Sequence, residues 1–518
     1  MTEVQDKEAH DETQKVGRGA LYLTMTKLWF MVSGYVIVFG LPRILGEGEA
    51  GKSLYGKYGV VNGLSAIINA LVVQGTTQAV SRFVGRDPSQ GDGVRRAAYR
   101  LQAMLGGGLF AIMFTTASWV AGSLYGDPAL ATPIRCAAFI LLFYAFYSIY
   151  LGYLNGSSLF KKQALVDFSY STLKVAGVLG GAYLLKESLG GVGGAFAGFA
   201  AAALCVLLLG RFMAGPAKGP GETRVKTLFA FQTFTMAFTG VATAVTRGDL
   251  QVLKLALQGT PGVDVAAGEY TAAQQFSTIP YQMVFAITLV LFPLVSAHAG
   301  RDHDRIRLYI RQTTRYASMI AMAIVCLFVA CPERTLTILY RQEYATAAAP
   351  LRFLCSGYLF YSILFIICSI FTAAGKPAKS LGLVGSVLVL EVLLAWFFVK
   401  EYGQVGVAAA TALSMFLGLV AGHVLMLKDF GQGLQLSKMA RIFASGLVVG
   451  GLAHALLARA TLWGATGVLS SVGGTGMLSK LITVGGFSVL GIFYLVLLSL
   501  TGVLDAEDKA RFRKVLRR

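Results

Sequence analysis

The chain has 518 residues, of which 55% are hydrophobic and only 14% are charged. Soluble domains carry about 25% charged residues, so this composition excludes a soluble globule and predicts a membrane protein. The net charge of +19 suggests nucleic-acid binding. However, many of the Lys and Arg residues lie between apolar segments, where a membrane protein needs them, so no nucleic-acid partner is predicted.

Apolar segments long enough to cross a bilayer as helices, which takes about 20 residues, recur along the whole chain. We expect fourteen transmembrane helices, at 20–41, 59–80, 101–124, 137–154, 166–185, 192–212, 228–246, 276–295, 317–331, 351–373, 381–399, 405–427, 442–457 and 481–500. The predicted fold class is therefore an all-α polytopic membrane protein.

Lys and Arg favour the cytoplasmic side of a membrane. With the N-terminus inside, the inner segments hold roughly twice as many of them as the outer segments, so both termini are predicted to be cytoplasmic. The expected organisation is listed in chain order: a cytoplasmic tail 1–19, a six-helix lobe 20–214, a Gly- and Pro-containing linker 215–227, a second six-helix lobe 228–427, a helix pair 428–503 and a basic tail 504–518.

Three short patterns recur in order at a nearly constant offset. Ser81 to Asp87 reads S-x-x-x-G-R-D, and the same pattern returns at 296–302. Phe-Tyr-Ser-Ile occurs at 146–149 and 360–363, and Val-Gly at 192–193 and 405–406. Recurrence of this kind predicts a duplicated half, as in many transporters. Because each half has an even number of helices, the symmetry axis is expected along the membrane normal, with a cavity between the lobes.

Several of these positions resemble a known group of transporters. The residues that carry the resemblance are Leu45, Tyr55-Gly56-x-Tyr58, Asp249, Gly268-x-Tyr270, Pro293 and Ala374-Gly375-Lys376. Their order is similar to that in polysaccharide flippases of the multidrug/oligosaccharidyl-lipid/polysaccharide exporter superfamily, over roughly residues 17–427. One departure is the segment 259–267, which is longer than the usual turn of that group.

The resemblance implies two bundles that open alternately to each side of the bacterial inner membrane. It also implies a polyprenyl-diphosphate-linked oligosaccharide as substrate, moved from the cytoplasmic to the outer leaflet for surface polysaccharide assembly. Membrane lipids, a proton or sodium ion and a polysaccharide polymerase complex are the other partners to consider.

Ionisable side chains deep in an apolar span cost about 2.5–3.5 kcal/mol, so they require a hydrated cavity or a partner. Four cations meet this description and are our candidate binding residues for a diphosphate headgroup: Lys27, Lys174, Arg247 and Lys254. Alternatively, Arg247 and Lys254 extend to the outer headgroups, and Lys174 pairs with Asp167.

Two acidic residues in the spans, Asp249 and Glu391, are the candidates for coupling to a proton or sodium ion. The alternative for Glu391 is a structural pairing with a cation of a neighbouring helix. Tyr144, Tyr147, Tyr150 and Tyr153 recur every third residue and form either a packing stripe or a wall that stacks on sugars.

No catalytic motif for nucleotide binding, zinc proteolysis or acyl transfer is present, and no cofactor or metal site is predicted. We therefore expect a transporter, not an enzyme. The alternatives are a multidrug/cation antiporter of the same superfamily, a peptidoglycan-precursor flippase, and a membrane-bound glycosyltransferase or polymerase. The last would require a large outer loop, and the outer segments are short.

Overall fold

A computed structural model describes residues 2–217, 219, 221, 223–298, 303–458 and 477–504. These residues form helices and connecting turns and contain no strand. The second copy of the S-x-x-x-G-R-D pattern ends at 299–302, and most of the expected basic tail lies at 505–518, so both fall outside the described residues. By packing, the chain divides into two compact units, Met1–Gly268 and Glu269–Arg518.

The first unit contains seven complete helices and the start of an eighth. They are α1 (Thr2–Leu45), α2 (Gly48–Arg86), α3 (Gly91–Trp119), α4 (Ala131–Gly156), α5 (Phe160–Leu184), α6 (Lys186–Ala214), α7 (Val225–Ala256) and the first turns of α8 (Val263–Ser277). Helix α2 packs against both α4 and α7, and α5 packs against α1 and α6. Helix α7 follows the expected linker 215–227 and yet lies in this unit, because it packs along α2.

The described residues of the second unit form the rest of α8 and seven further α-helices. They are α9 (Ile279–His298), α10 (His303–Ala330), α11 (Pro332–Leu339), α12 (Ala348–Ala373), α13 (Pro377–Phe430), α14 (Leu436–Ala453) and α15 (Met477–Leu500). Helix α12 packs against α9, α10 and α13, and α14 packs against α10 and α15.

Eleven helical segments among the described residues are long and apolar enough to cross a membrane. One of them, α13, covers two expected spans. Its backbone leaves the helical conformation between them, at Gly403 (φ 54°). The expected spans 166–185 and 276–295 are helical but do not meet this criterion. In α5 the reason is its polar content, which includes Asp167 and Lys174.

The predicted repeat has a counterpart in the backbone. Gly190 interrupts α6 at φ 71°, two residues before Val192-Gly193. Gly403 interrupts α13 two residues before the repeated Val405-Gly406. A positive φ is readily adopted only by glycine, so the same sharp turn occurs at the same place in both copies of the pattern.

Two glycines from the motifs that carry the resemblance lie against each other where α2 crosses α8. A methyl group added to Gly56 would lie 2.1 Å from the carbonyl oxygen of Asp264, and one added to Gly268 would lie 2.0 Å from that of Lys52. Each glycine thus lies against the carbonyl group four residues before the other. The crossing is symmetric, and it is close enough to require that both residues lack a side chain.

The Gly- and Pro-containing linker is held against the start of α3. The Arg95 guanidinium donates to the carbonyl oxygen of Gly215 at 2.6 Å, and that of Arg96 donates to Gly219 at 3.0 Å. The Gly219 N–H in turn donates to the Asp92 carboxylate at 2.7 Å. Charge-assisted hydrogen bonds of this kind are stronger than neutral ones, so they hold Gly215 and Gly219 against the first turns of α3.

Replacement of Gly56 by alanine is expected to lower the thermal unfolding midpoint of the purified protein in detergent. The new methyl group would overlap the Asp264 carbonyl oxygen, and overpacking of this kind costs about 1–3 kcal/mol or more. The matched control is Gly34→Ala in α1, where an added methyl group meets nothing within 4 Å. This control is expected to leave the midpoint unchanged or slightly raised, since alanine favours helix by about 1 kcal/mol. Equal midpoints for the two variants would contradict the close crossing.

Candidate functional site

Lys174 lies within a group of aromatic rings in the first unit. Its Nζ is 4.8 Å from the centroid of the Phe199 ring on α6 and 6.0 Å from that of Tyr170 on α5. These distances are within the range of cation–π attraction, which is worth about 0.5–2 kcal/mol depending on desolvation. The half-buried ammonium group is therefore held by ring faces, which attract a cation without neutralising its charge.

Lys27, another lysine of the expected set, lies near Asp167. Its ammonium group on α1 is within electrostatic range of the Asp167 carboxyl group on α5. The Tyr147 hydroxyl of α4 also donates to Asp167 Oδ1 at 3.3 Å. Sequence reasoning considered Asp167 as a partner for Lys174; in the structure it is Lys27 on the neighbouring helix that faces it.

A chain of hydrogen bonds connects Asp167 to the first S-x-x-x-G-R-D pattern. The Ser81 hydroxyl donates to Asn155 Oδ1 at 2.7 Å, and Asn155 Nδ2 donates to Gln163 Oε1 at 3.0 Å. Gln163 then hydrogen-bonds to Asp167. The repeated pattern thus fixes polar groups of α4 and α5 beneath the acidic residue, a role that its sequence did not indicate.

The tyrosine stripe of α4 divides between two environments. Tyr144 and Tyr147 face Tyr170, with ring centroids 5.6 Å and 6.2 Å away. The Tyr153 ring instead lies 4.5 Å from the guanidinium carbon of the buried Arg95, and Tyr150 is next to it. Only the first half of the stripe therefore belongs to the surroundings of the lysines.

Arg247 on α7 approaches the same rings through Tyr58. The Tyr58 hydroxyl lies within electrostatic range of both Arg247 and Tyr170, and its ring centroid is 5.2 Å from that of Phe196. We call the combined set the cation–aromatic cluster; its members are Lys27, Lys174, Arg247, Asp167, Tyr58, Tyr144, Tyr147, Tyr170 and Phe199. Its named members include three cations and one carboxylate.

The fourth expected binding residue, Lys254, lies in a separate ionic network. Its ammonium group contacts Asp264, and it is 4.0 Å from Asp127. Lys57 is 2.9 Å from Asp127 and 3.7 Å from Asp264. Two cations face two carboxylates, so the network is neutral. Only 2% of the Lys254 side chain is exposed, and it therefore has the environment of a structural ion pair.

The two expected coupling carboxyl groups lie in different units. Asp249 is fully buried in α7, and one of its oxygens accepts the N–H of Leu250 at 2.8 Å. Glu391 is buried in the first leg of α13, which precedes Gly403. It accepts a hydrogen bond at 3.1 Å from the hydroxyl of Thr411 in the second leg, which follows Gly403. Among the residues that the structure describes, no group of three or more His, Cys, Asp or Glu side chains could hold a metal ion.

Loss of the Lys254 charge is expected to destabilise the protein more than loss of the Lys174 charge. Lys254→Gln removes the buried cation of this network. Breaking a buried pair costs about 3–5 kcal/mol, and the cost here is lower because the Asp264 side chain is 22% exposed and Lys57 stays close to both carboxylates. Lys174→Gln removes a charge held mainly by ring faces, worth about 0.5–2 kcal/mol. Thermal unfolding midpoints of the two variants in the same detergent test this order, and a larger fall for Lys174→Gln would overturn it.

Comparison with known families confirms the resemblance. The family model described as polysaccharide biosynthesis protein matches residues 16–299, which is more than half of the chain. The model described as MatE matches residues 252–397. No curated protein matches the chain in sequence.

Several solved structures have similar folds. One described as lipid II flippase MurJ, inward closed conformation, has a TM-score of 0.72 at 13% identity and covers 92% of this chain and 99% of its own. An inward-facing multidrug resistance MATE family transporter has a TM-score of 0.59 at 16% identity, with coverages of 77% and 98%. A transporter from Pyrococcus furiosus, described as having a binding pocket of reversed polarity, has a TM-score of 0.57 at 17% identity, with coverages of 80% and 95%. At these identities the likeness concerns the fold alone.

Proposed function

Because the chain belongs to the family of polysaccharide biosynthesis proteins, we propose that it is a flippase for polyprenyl-diphosphate-linked oligosaccharide. It moves this lipid from the cytoplasmic to the outer leaflet of the bacterial inner membrane by alternating access, for assembly of a surface polysaccharide. Both termini are then cytoplasmic. The broader class, a multi-pass transporter of the multidrug/oligosaccharidyl-lipid/polysaccharide exporter superfamily, follows from the family and the fold.

The observation that carries the proposal is the grouping of three cations, Lys27, Lys174 and Arg247, with aromatic rings in the cation–aromatic cluster. A diphosphate headgroup is strongly anionic, and fixed Lys and Arg side chains replace part of its hydration with charge-assisted hydrogen bonds. Lys27 and Lys174 supply these contacts from the packed helices α1 and α5, and Arg247 supplies a further contact from α7. Tyr144, Tyr147 and Tyr170 offer ring faces and hydroxyl groups to the sugars beside the phosphates.

Asp167 has a specific part in this scheme. In the absence of substrate its carboxylate offsets the charge of Lys27, which reduces the cost of a cation in the bundle. When a diphosphate enters, it competes with Asp167 for the same ammonium group. Binding is then an exchange of one anion for another. This exchange limits the affinity for the substrate, so the substrate can dissociate again.

Energy for transport comes from outside this chain, through an ion gradient, the membrane potential or coupled polymer assembly. Glu391 and Asp249 are the candidate proton or sodium sites, because each is a carboxyl group buried in a helix of its unit. A polysaccharide polymerase that removes the delivered oligosaccharide is a candidate partner on the outer side.

Two other functions share features with this chain. A peptidoglycan-precursor flippase is favoured by the fold similarity to the lipid II flippase over nearly the whole length of both chains. A multidrug/cation antiporter is favoured by the MatE match, but a cluster with three cations and one carboxylate repels cationic compounds. The substrate comparison below separates the three functions.

Lys27→Gln, Lys174→Gln and Arg247→Gln are each expected to reduce flipping about tenfold or more, since hydrogen bonds to charged groups contribute roughly 1.5–3 kcal/mol. The measurement uses the full chain in proteoliposomes with a fluorescent polyprenyl-diphosphate oligosaccharide and a membrane-impermeant quencher. Lys161→Gln, an exposed charge in the first turn of α5, is the matched control and is expected to retain normal rates.

Lipid II and a cationic dye are tested in the same vesicles. Transport of lipid II in preference to the oligosaccharide lipid would replace the proposed function with the peptidoglycan-precursor flippase. Transport of the dye alone would replace it with the antiporter. Normal flipping of the oligosaccharide lipid by all three cluster variants would overturn the cationic site while leaving the flippase function intact.

Glu391→Gln is expected to abolish the response of flipping to an imposed proton or sodium gradient while leaving the protein folded. The amide keeps the acceptor for the Thr411 hydroxyl but cannot exchange a proton or bind a cation as a carboxylate does. The same vesicles with and without the gradient provide the measurement, and Asp249→Asn provides the comparison. Gradient-stimulated flipping by Glu391→Gln would exclude this residue as a coupling site.

A further inference from the structure

A groove in the second unit runs between the two parts of α13, the first leg before Gly403 and the second leg after it. It lies near the first and the last turns of this helix. Its volume is about 480 Å³, and its wall is almost entirely apolar. The residues that line it are Gly382, Leu383 and Ser386 from the first leg and Ala421, Val424 and Leu425 from the second, with Lys379 at one end. The groove lies far along the sequence from the cation–aromatic cluster and shares no residue with it.

The end of the groove that carries Lys379 is positively charged. Lys379 Nζ lies 2.6 Å from both oxygens of Asp429, and Lys376 Nζ lies 3.0 Å from one of them. Two ammonium groups share a single carboxylate, so one positive charge is not offset within this trio. About 40% of each lysine side chain is exposed, which leaves N–H donors accessible to a further anion.

The shape and polarity of this groove match one chain of a membrane lipid. From Lys379 to Ser386 the first leg rises about 10 Å, at 1.5 Å per residue, which is a large part of one leaflet of the hydrocarbon core. A volume of 480 Å³ holds roughly sixteen groups of the size of a water molecule, at ~30 Å³ each. That is enough for one acyl chain, whereas a polyprenyl chain is several times longer.

We propose that this groove binds an anionic phospholipid of the inner leaflet, with one acyl chain between the legs of α13 and the phosphate on Lys376 and Lys379. The phosphate joins Asp429 as a second acceptor for the two ammonium groups. The lipid stays with the protein as a bound structural component of the second unit, and it fills an apolar gap that would otherwise separate the two legs. This site is independent of the flippase substrate.

Native mass spectrometry of the detergent-purified full chain tests the proposal, with phosphatidylglycerol and phosphatidylcholine of identical acyl chains as probes. Gly382→Phe places a ring in the groove, and the Cβ atom that it adds meets no atom within 4 Å. We expect the Gly382→Phe variant to retain one phosphatidylglycerol molecule fewer than the parent protein. Gly385→Phe is the matched control; it is equally unobstructed but does not line the groove, and it is expected to retain the lipid.

The lysines are tested separately. The double variant Lys376→Gln with Lys379→Gln is expected to lose the preference for phosphatidylglycerol over phosphatidylcholine by about fivefold for each charge removed. Ala421→Phe fills the groove from the opposite wall and is used if Gly382→Phe does not fold. Undiminished lipid retention in a folded groove-filling variant would overturn the proposal. So would equal retention of the two lipids by the parent protein, or displacement of the bound lipid by polyprenyl phosphate at equal concentration.

Discussion

Positive charge held among aromatic rings inside an apolar helical bundle is the constraint on which the rest of this structure depends. An ammonium group at such a depth must be solvated by something, and here Lys174 is held by the faces of Phe199 and Tyr170. Ring faces stabilise a cation while leaving its charge available. The helix that carries this arrangement, α5, is consequently not among the eleven described segments that are long and apolar enough to cross a membrane.

The helical character of the spans was predictable because a bilayer requires long apolar segments. The exception is the expected span 276–295, which covers the end of α8, the turn at Thr278 and most of α9. The break predicted between the spans 381–399 and 405–427 coincides with the turn at Gly403, but the sequence did not show that the backbone there takes a positive φ. It also did not show that 263–267 begins α8, because the residues 259–267 have the polar and Gly-rich composition of a loop. Nor did it reveal that α7 packs along α2, which depends on contacts between distant residues.

The candidate site was predictable in its charges but not in its partners. Lys27, Lys174 and Arg247 stand out because ionisable residues are rare in apolar spans. Lys254 stands out for the same reason, yet it contacts Asp264, which lies in the segment that the sequence presented as a loop insertion. Asp167 was visible only as a neighbour of Lys174 along one helix, because the approach of Lys27 from α1 is a tertiary contact. Residue type thus identifies the charged side chains, and helix packing decides which of them are neutralised.

The crossing of α2 and α8 has a consequence for the origin of the protein. Gly56 and Gly268 each begin a Gly-x-Tyr pattern, one in each predicted half, and each lies against the backbone four residues before the other. Two copies of a half-length ancestor, meeting across a two-fold axis, would make this contact through one residue used twice. Gene duplication and fusion would then convert one inherited position into two, each of which can mutate separately. A contact that a homodimer needs to encode once therefore requires two independent glycines in the fused chain.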